Sequence, residues 1–489
     1  MRKAVERQRR LDCPSIPQVR LNLNCRTEII PILRALQHIY SQANVREPIL
    51  RIIGGDVNRQ ASAKYGRKGL SYWEILVLAA VRLGCNLDYD ALQNLAEEHR
   101  SLRQVMGIGD WEEEINFDWR RIQDNLTLLR PKTIERINTI LVQEGHRLEP
   151  EAAETVRADS FVAETNIHYP TDSSLIRDGL RKILGLGAAL ARLLGAEGWR
   201  QHKHLGRTAK MLAREIDRIA GKKGNGYKER LKPVYRELLA LANTICERAE
   251  KLREEAGHSG NGMLEVLALD KDLALFLERT RKVCDVARRR VLCDEKIQNH
   301  EKLFSMFETH TQLFKRGKAG QEIQLGRLVL IFENGAGYVS HYAVMPREQG
   351  DKDVAVAETR KAQERHQGRI RRASFDRGFH SPKNQEELAK IVAHPCLPKP
   401  GAIQAAEQGQ AASVEFRQAR QSHPGVESAI GALQSGNGLK RCRDRTEPGF
   451  ERYIGLGVLG RNLHVLGKHL IAKEVSRCAA GASRRKRAA

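Results

Sequence analysis

The chain has 489 residues and a hydrophobic fraction of 41%, long enough to bury several cores and ordinary for a folded protein. Its formal net charge of +23 is not ordinary, and such a surplus calls for solvent or a polyanionic partner, of which nucleic acid is the commonest. The nine cysteines make no Cys-x-x-Cys pair, which excludes a zinc-ribbon pattern and a disulfide framework and fits a reducing compartment. "MRKAVERQRRLDCPSIPQ" has charges with no apolar core behind it, and the longest apolar run, "ILVLAAV" at 75–81, is too short for a bilayer. A cytoplasmic protein without a membrane partner is expected.

Residues 1–150 read as helical. "EIIPILRALQHIYSQ" and "SYWEILVLAAVRLG" carry apolar residues at helical spacing, and Ser71 with Glu74 forms a capping-box pattern. Arg67, Lys68, Arg82, Arg100 and Arg103 make this cluster a candidate DNA-binding and assembly module, with a plain bundle carrying solvated arginines as the alternative. A short β-prone run with Val156, Phe161 and Val162 follows, bounded by Pro170. From 184 to 300 the chain is helical and highly charged, with "GKKGNG" as a hairpin tip, and reads as an insertion packing on itself.

A second β region follows, "GRLVLIFENGAGYVSHYAVMP", whose Asn334-Gly335-Ala336-Gly337 is a hairpin signal. "DVAVAETRKAQERHQG" reads as a helix, "RIRRASFD" as a strand and "PKNQEELAKIVA" as another helix. Residues 401–413 are low in complexity, and the basic tail 471–489 is expected to be disordered. The alternation is that of an α/β protein with a large insertion.

The run Ala373-Ser374-Phe375 ends on Asp376. A carboxylate at the end of a buried strand needs a positive partner, either the neighbouring Arg377 or a metal ion. A single aspartate cannot hold a divalent ion. Asp159 closes the first β region in the same way, and strand ends of α/β sheets are where chemistry is usually mounted. After Pro424, a residue suited to a first helical turn, the stripe Val426, Ile430 and Leu433 leaves Glu427 at the edge of a buried face. Asp172, Glu386, Glu387 and Glu415 are weaker rivals: Asp172 follows Pro170, the pair lies soon after Asp376, and Glu415 falls in an irregular stretch.

The stretches "ADSFVAETNIHYPTDSSLI", "SFDRGFHS" and "VESAIGALQSGNGLKRC…GFERYIGLGVLGRNLHVLG", with "YWEILVLAAVRLGCNLDYDALQNLAEEHRSLRQVMG" nearer the start, together cover most of the chain. In them it resembles the DDE transposases of bacterial and archaeal insertion sequences, of the ISNCY type. The resemblance implies a ribonuclease-H-like mixed sheet with a large α-helical insertion, preceded by an all-α N-terminal domain. The catalytic core would be split into 151–183 and 301–470 around the insertion at 184–300. It implies Asp159, Asp376 and Glu427 as an acidic triad holding two Mg²⁺ ions, which Mn²⁺ can replace. It also implies cleavage and strand transfer at the ends of an insertion sequence, by a homodimer or higher synaptic oligomer on double-stranded DNA at the nucleoid. Two ions about 3.5–4 Å apart serve the attacking and leaving oxygens of an in-line displacement, and magnesium needs only a few carboxylates because it keeps several waters.

Many related transposases carry Tyr, Arg and Lys at seven before, four before and seven after the catalytic Glu. Here those positions hold Arg420, His423 and Gln434, so the relatives' contacts to phosphate and a flipped base are not carried over, and a hairpin-forming step is left open. Arg377, Arg417, Arg420, Lys440 and Arg441 are candidate phosphate contacts, with a solvated basic face as the alternative. His168, Tyr169, His310 and His380 also lie near the motifs. Two other readings use the same residues: a ribonuclease-H-like nuclease or resolvase without strand transfer, and a non-catalytic DNA-binding descendant of a transposase.

Overall fold

The computed structural model describes residues 12–59, 69–111, 116–222, 224–259, 264–315, 323–399 and 413–488, with the backbone alone at 258–259 and 478–488. Arg67, Lys68 and the low-complexity segment 401–412 lie outside them. The protein is mixed α/β, mostly helical, with a mixed sheet of seven strands. It divides into two compact units, residues 1–166 with 327–489, and residues 167–326.

The first unit opens with α1 (Ile29–Ser41), α2 (Ala43–Val57), α3 (Tyr72–Gly84), α4 (Tyr89–Glu98), α5 (Arg100–Val105), α6 (Trp119–Thr127) and α7 (Pro131–Leu148). Ser71 caps α3 in the expected box, its hydroxyl accepting from the Glu74 N–H while the Glu74 carboxylate accepts from the Ser71 N–H at 2.7 Å. These helices are not a domain of their own, contrary to the expectation for 1–150. Their core is shared with the last helix of the chain, α16 (Glu447–Ala488), which packs on α1, α3 and α7. Tyr453, Leu456, Leu459 and Leu463 of α16 are fully buried there. Glycines permit the close approach: a Cβ on Gly460 would stand 2.6 Å from the Gly84 Cα, and one on Gly467 1.8 Å from the Pro31 carbonyl oxygen. The helix also continues to Ala488, through the residues expected to form a disordered tail. After Pro448 this stretch contains no proline to stop it.

The sheet of this unit is built on β1 (Thr155–Thr165). On one side lies β3 (Ile323–Asn334), which turns back antiparallel into β4 (Val339–Val344). Asn334 shapes that turn, its side-chain oxygen accepting from the N–H groups of Ala336 (3.1 Å) and Tyr338 (3.0 Å), while Gly337 takes φ +85°. On the other side of β1, after α12 (Asp351–Arg365), β5 (Arg372–Phe375) runs parallel to it. Then α13 (Pro382–Ala389) leads to β6 (His394–Cys396), parallel to β5. Two helices, α14 (Val414–Ser422) and α15 (Gly425–Ser435), precede β7 (Arg441–Cys442), which pairs with the far end of β1. Ser413 caps α14 by accepting from the Phe416 N–H, so Glu415 is helical rather than irregular.

The second unit is a helical bundle of α8 (Asp172–Leu194), α9 (His202–Lys222), α10 (Tyr227–Ser259) and α11 (Leu264–Ala287). Each helix packs on its neighbours around Leu180, Ile183, Leu238, Ile245 and Leu273. The unit is wider than the expected insertion at 184–300, because Leu175, Ile176 and Leu180 of α8 already belong to its core. At its end β2 (Gln312–Lys315) pairs antiparallel with Ile323–Gly326. No helix among the described residues is long and apolar enough to cross a membrane.

Candidate functional site

The parallel register of β1 and β5 runs from Thr155 opposite Arg372 to Ala158 opposite Phe375. One residue further, Asp159 and Asp376 are therefore neighbours across the two strands. Asp376 leaves its strand at that point, as expected. Asp159 does not: it lies midway along an eleven-residue strand, because β7 takes up pairing at Glu164 and Thr165 where β5 has ended. The two aspartates thus occupy the fork where the edge of β1 passes from β5 to β7. Asp159 is half-buried and Asp376 exposed. One Asp159 oxygen accepts from the Ser160 N–H at 2.7 Å.

Side chains alternate along a strand, so Arg157 shares a face of β1 with Asp159. The Arg157 guanidinium donates to the Ser422 carbonyl at 2.9 Å and to the Glu333 carboxylate at 2.7 Å. It lies directly under Gly425, the first residue of α15, which packs on β1. Burial raises the Glu333 pKa, against the pull of Arg157 and Arg461. Val426, Ala429 and Leu433 of α15 are buried, while Glu427 stands exposed in the first helical turn. Arg157 therefore bonds the strand that carries Asp159 to the end of α14, and packs under the first residue of α15, the helix that carries Glu427.

His423, between α14 and α15, completes the group. Its Nδ1 lies 3.1 Å from the Ser374 hydroxyl. Its pKa is lowered, first by burial and further by Arg157, with the Asp376 and Glu427 carboxylates pulling the other way. The imidazole thus lies within the field of both acids. A cleft of about 180 Å³ is lined by Asp376, Arg377, Arg420, His423, Pro424 and Cys396, among others. Among the described residues no ion pair joins Arg377 to Asp376, and both stand exposed, so the reading of Asp376 as a structural partner of Arg377 is not supported. Burial pushes the Cys396 thiol up to about 11.

The expected phosphate contacts separate into two sets. Arg377 and Arg420 line the cleft beside Asp376, and Arg417 is exposed on the same helix as Arg420. Lys440 and Arg441 lie with Glu164 at the far end of β1, roughly 17 Å from Asp159 at strand spacing. There Arg441 pairs with Glu164 at 3.2 Å. Arg82 cannot reach a ligand. Its side chain is 1% exposed, paired with Asp444 at 2.6 Å and set against the Tyr89 ring at 3.9 Å. His310 and His380 are buried, and Asp172 is paired with Arg290 at 2.6 Å in the second unit.

Among the described residues no group of three or more His, Cys, Asp or Glu side chains is arranged as a metal-ion site. Carboxylate oxygens such as those of Asp159 and Asp376 suit a hard cation that retains most of its hydration. Comparison of the chain with protein-family models, with curated proteins and with solved structures returned no match.

Proposed function

We propose that this protein is a DDE-type transposase with a ribonuclease-H-like core interrupted by the helical unit. The observation that carries the reading is the β1–β5 register, which sets Asp376 beside Asp159, while Arg157 bonds the end of α14 and packs under Gly425 at the start of the helix bearing Glu427. The strand order β4-β3-β1-β5-β6, an antiparallel hairpin continued by parallel strands, fits such a core.

Asp159, Asp376 and Glu427 would hold divalent metal, magnesium or manganese, which supplies Lewis-acid activation of water and of a departing oxygen. The rest falls to the chain itself. Arg377 and Arg420 seat the scissile phosphate in the cleft next to Asp376. His423, held by Ser374, borders the acids where many relatives carry arginine. Water cuts the strand at the element's end, and the freed 3′ hydroxyl attacks a target phosphodiester in line. One phosphorus–oxygen bond forms as another breaks, so strand transfer needs no added energy source.

The test is cleavage of a duplex bearing the element's own end, with and without Mg²⁺, by wild type, Asp159→Asn and Asp376→Asn at matched DNA binding. Metal-dependent nicking that falls by at least about a thousandfold in both variants, with binding kept, supports the reading. Variants that cut as well as wild type overturn it, and cutting without joining to target DNA assigns a nuclease instead.

A further inference from the structure

We infer that the exposed face of α9 is a second, separate docking surface for the phosphate backbone of duplex DNA. Every lysine and arginine of this helix falls on one stripe: Lys203, Arg207, Lys210, Arg214, Arg218 and Lys222, spaced three or four residues apart. At roughly 100° per residue they occupy an arc of roughly 120°. All six are exposed. The opposite side of the helix carries Ala209, Ala213 and Ile216, buried against the bundle, so packing fixes which way the charges point.

The stripe is not neutralised within its own unit. Among the described residues only Arg218 has an acidic partner, Glu215 at 3.5 Å. The other helices of the bundle differ. On α10 and α11 part of the positive charge is paired with acids, Arg253 with Asp270 at 2.7 Å and Arg281 with Glu250 at 2.5 Å. Five like charges along one rigid edge repel one another, a cost that a polyanion removes. From Lys203 to Arg218 the stripe is roughly 22 Å long at helical rise, comparable to the axial length of about six successive phosphates of one strand.

The contact inferred is with phosphate, because a row of like charges along one helix edge matches a charged backbone whatever its base sequence. The choice of DNA over another polyanion rests on the function proposed above. The surface belongs to the helical unit alone and contributes none of the acids.

The experiment measures binding only, without metal, so that failure of this inference and failure of the catalytic reading are distinguishable. The full chain is titrated onto a labelled duplex of about three helical turns across a salt series. Wild type is compared with Lys203→Gln/Arg207→Gln/Lys210→Gln/Arg214→Gln and with a variant that loses as much charge elsewhere on the unit, Lys228→Gln/Lys251→Gln/Lys271→Gln/Lys282→Gln. The expected result is a slope of log K against log salt that falls by about 3.6 in the stripe variant, at roughly 0.9 for each of the four phosphates no longer neutralised, and by less than about 1 in the other. Equal slopes for wild type and stripe variant, or equal losses in both variants, overturn the inference. Stripe-dependent binding to phosphatidylserine vesicles but not to duplex also overturns it, in favour of a membrane surface. Wild type that fails to bind the duplex overturns this inference and the proposed function together.

Discussion

Arg157 lies so close to Gly425 that a Cβ on the glycine would stand 2.0 Å from its guanidinium. An arginine tip usually moves aside, but this one is held at both ends, by the Ser422 carbonyl and by Glu333. Gly425→Ala must therefore break one of those bonds or push α15 off β1. The expected cost is about 1–3 kcal/mol, typical of overpacking, read from the urea midpoint. Cleavage should fall further than stability does, because α15 carries Glu427. If Gly425→Ala is neutral in both assays, Arg157 does not hold the start of α15 against β1.

The pair Arg82–Asp444 gives a second expectation. Both side chains are nearly inaccessible, and Arg452 at 3.6 Å is a poor substitute partner for the aspartate. Arg82→Met should destabilise the protein by roughly 3 kcal/mol or more, since it leaves a buried carboxylate under-paired. DNA affinity of the folded fraction should not change. A large affinity loss with unchanged stability would restore the reading of Arg82 as a DNA contact.

These residues show what a sequence does and does not expose. The run into Asp376 was legible because a short apolar segment, a turn and a helix start follow one another locally. The β3–β4 hairpin was legible for the same reason. The neighbour of Asp159 was not fixed by any local pattern, since its place midway along β1 depends on β7, nearly 280 residues away in the pairing of Glu164 with Arg441. Arg157 and Glu333 were missed outright. Strand alternation puts Arg157 on the face of Asp159, but nothing local announces Ser422 or Glu333 as its partners. The helices before residue 150 looked self-sufficient because their closing partner, α16, comes last in the chain. Arg82 looked solvated because its aspartate is 362 positions away.

The two sets of basic residues should separate in solution. Arg420→Gln removes a cation from the cleft that contains Asp376. It should slow cleavage at least about tenfold and lower the salt slope of DNA binding by about 1. Arg441→Gln removes only the partner of Glu164 at the far end of β1, and should leave the cleavage rate within about twofold. Equal losses in both variants would place the DNA path along the whole of β1 rather than in the cleft.

Acid sensitivity follows from two adjacent buried histidines. His146 and His366 are both buried, with ring centroids 4.7 Å apart. His146 Nε2 lies 2.9 Å from the Asn334 amide, and His366 Nδ1 donates to the Ala153 carbonyl at 2.9 Å. Burial, with the neighbouring charges of Arg369 and the paired ring, lowers His146 to about 3; burial likewise lowers His366 to about 4. Both side chains take up a proton near pH 6.5 once unfolded. As pH falls below that value the unfolded chain gains protons that the folded one does not, so stability falls down to about pH 4. Each histidine contributes at most roughly 1.4 kcal/mol per pH unit. Glu358, whose pKa is depressed to about 2 despite its burial by bonds from His341 and Lys361, loses its contribution only below the ordinary carboxylate range. The window between about pH 6 and 5 therefore isolates the histidines. Urea midpoints across it should drop steeply in wild type and less steeply in His146→Gln/His366→Asn, where the amides keep the hydrogen bonds without titrating. The same slope in both proteins would mean that this pair is not a source of the acid loss.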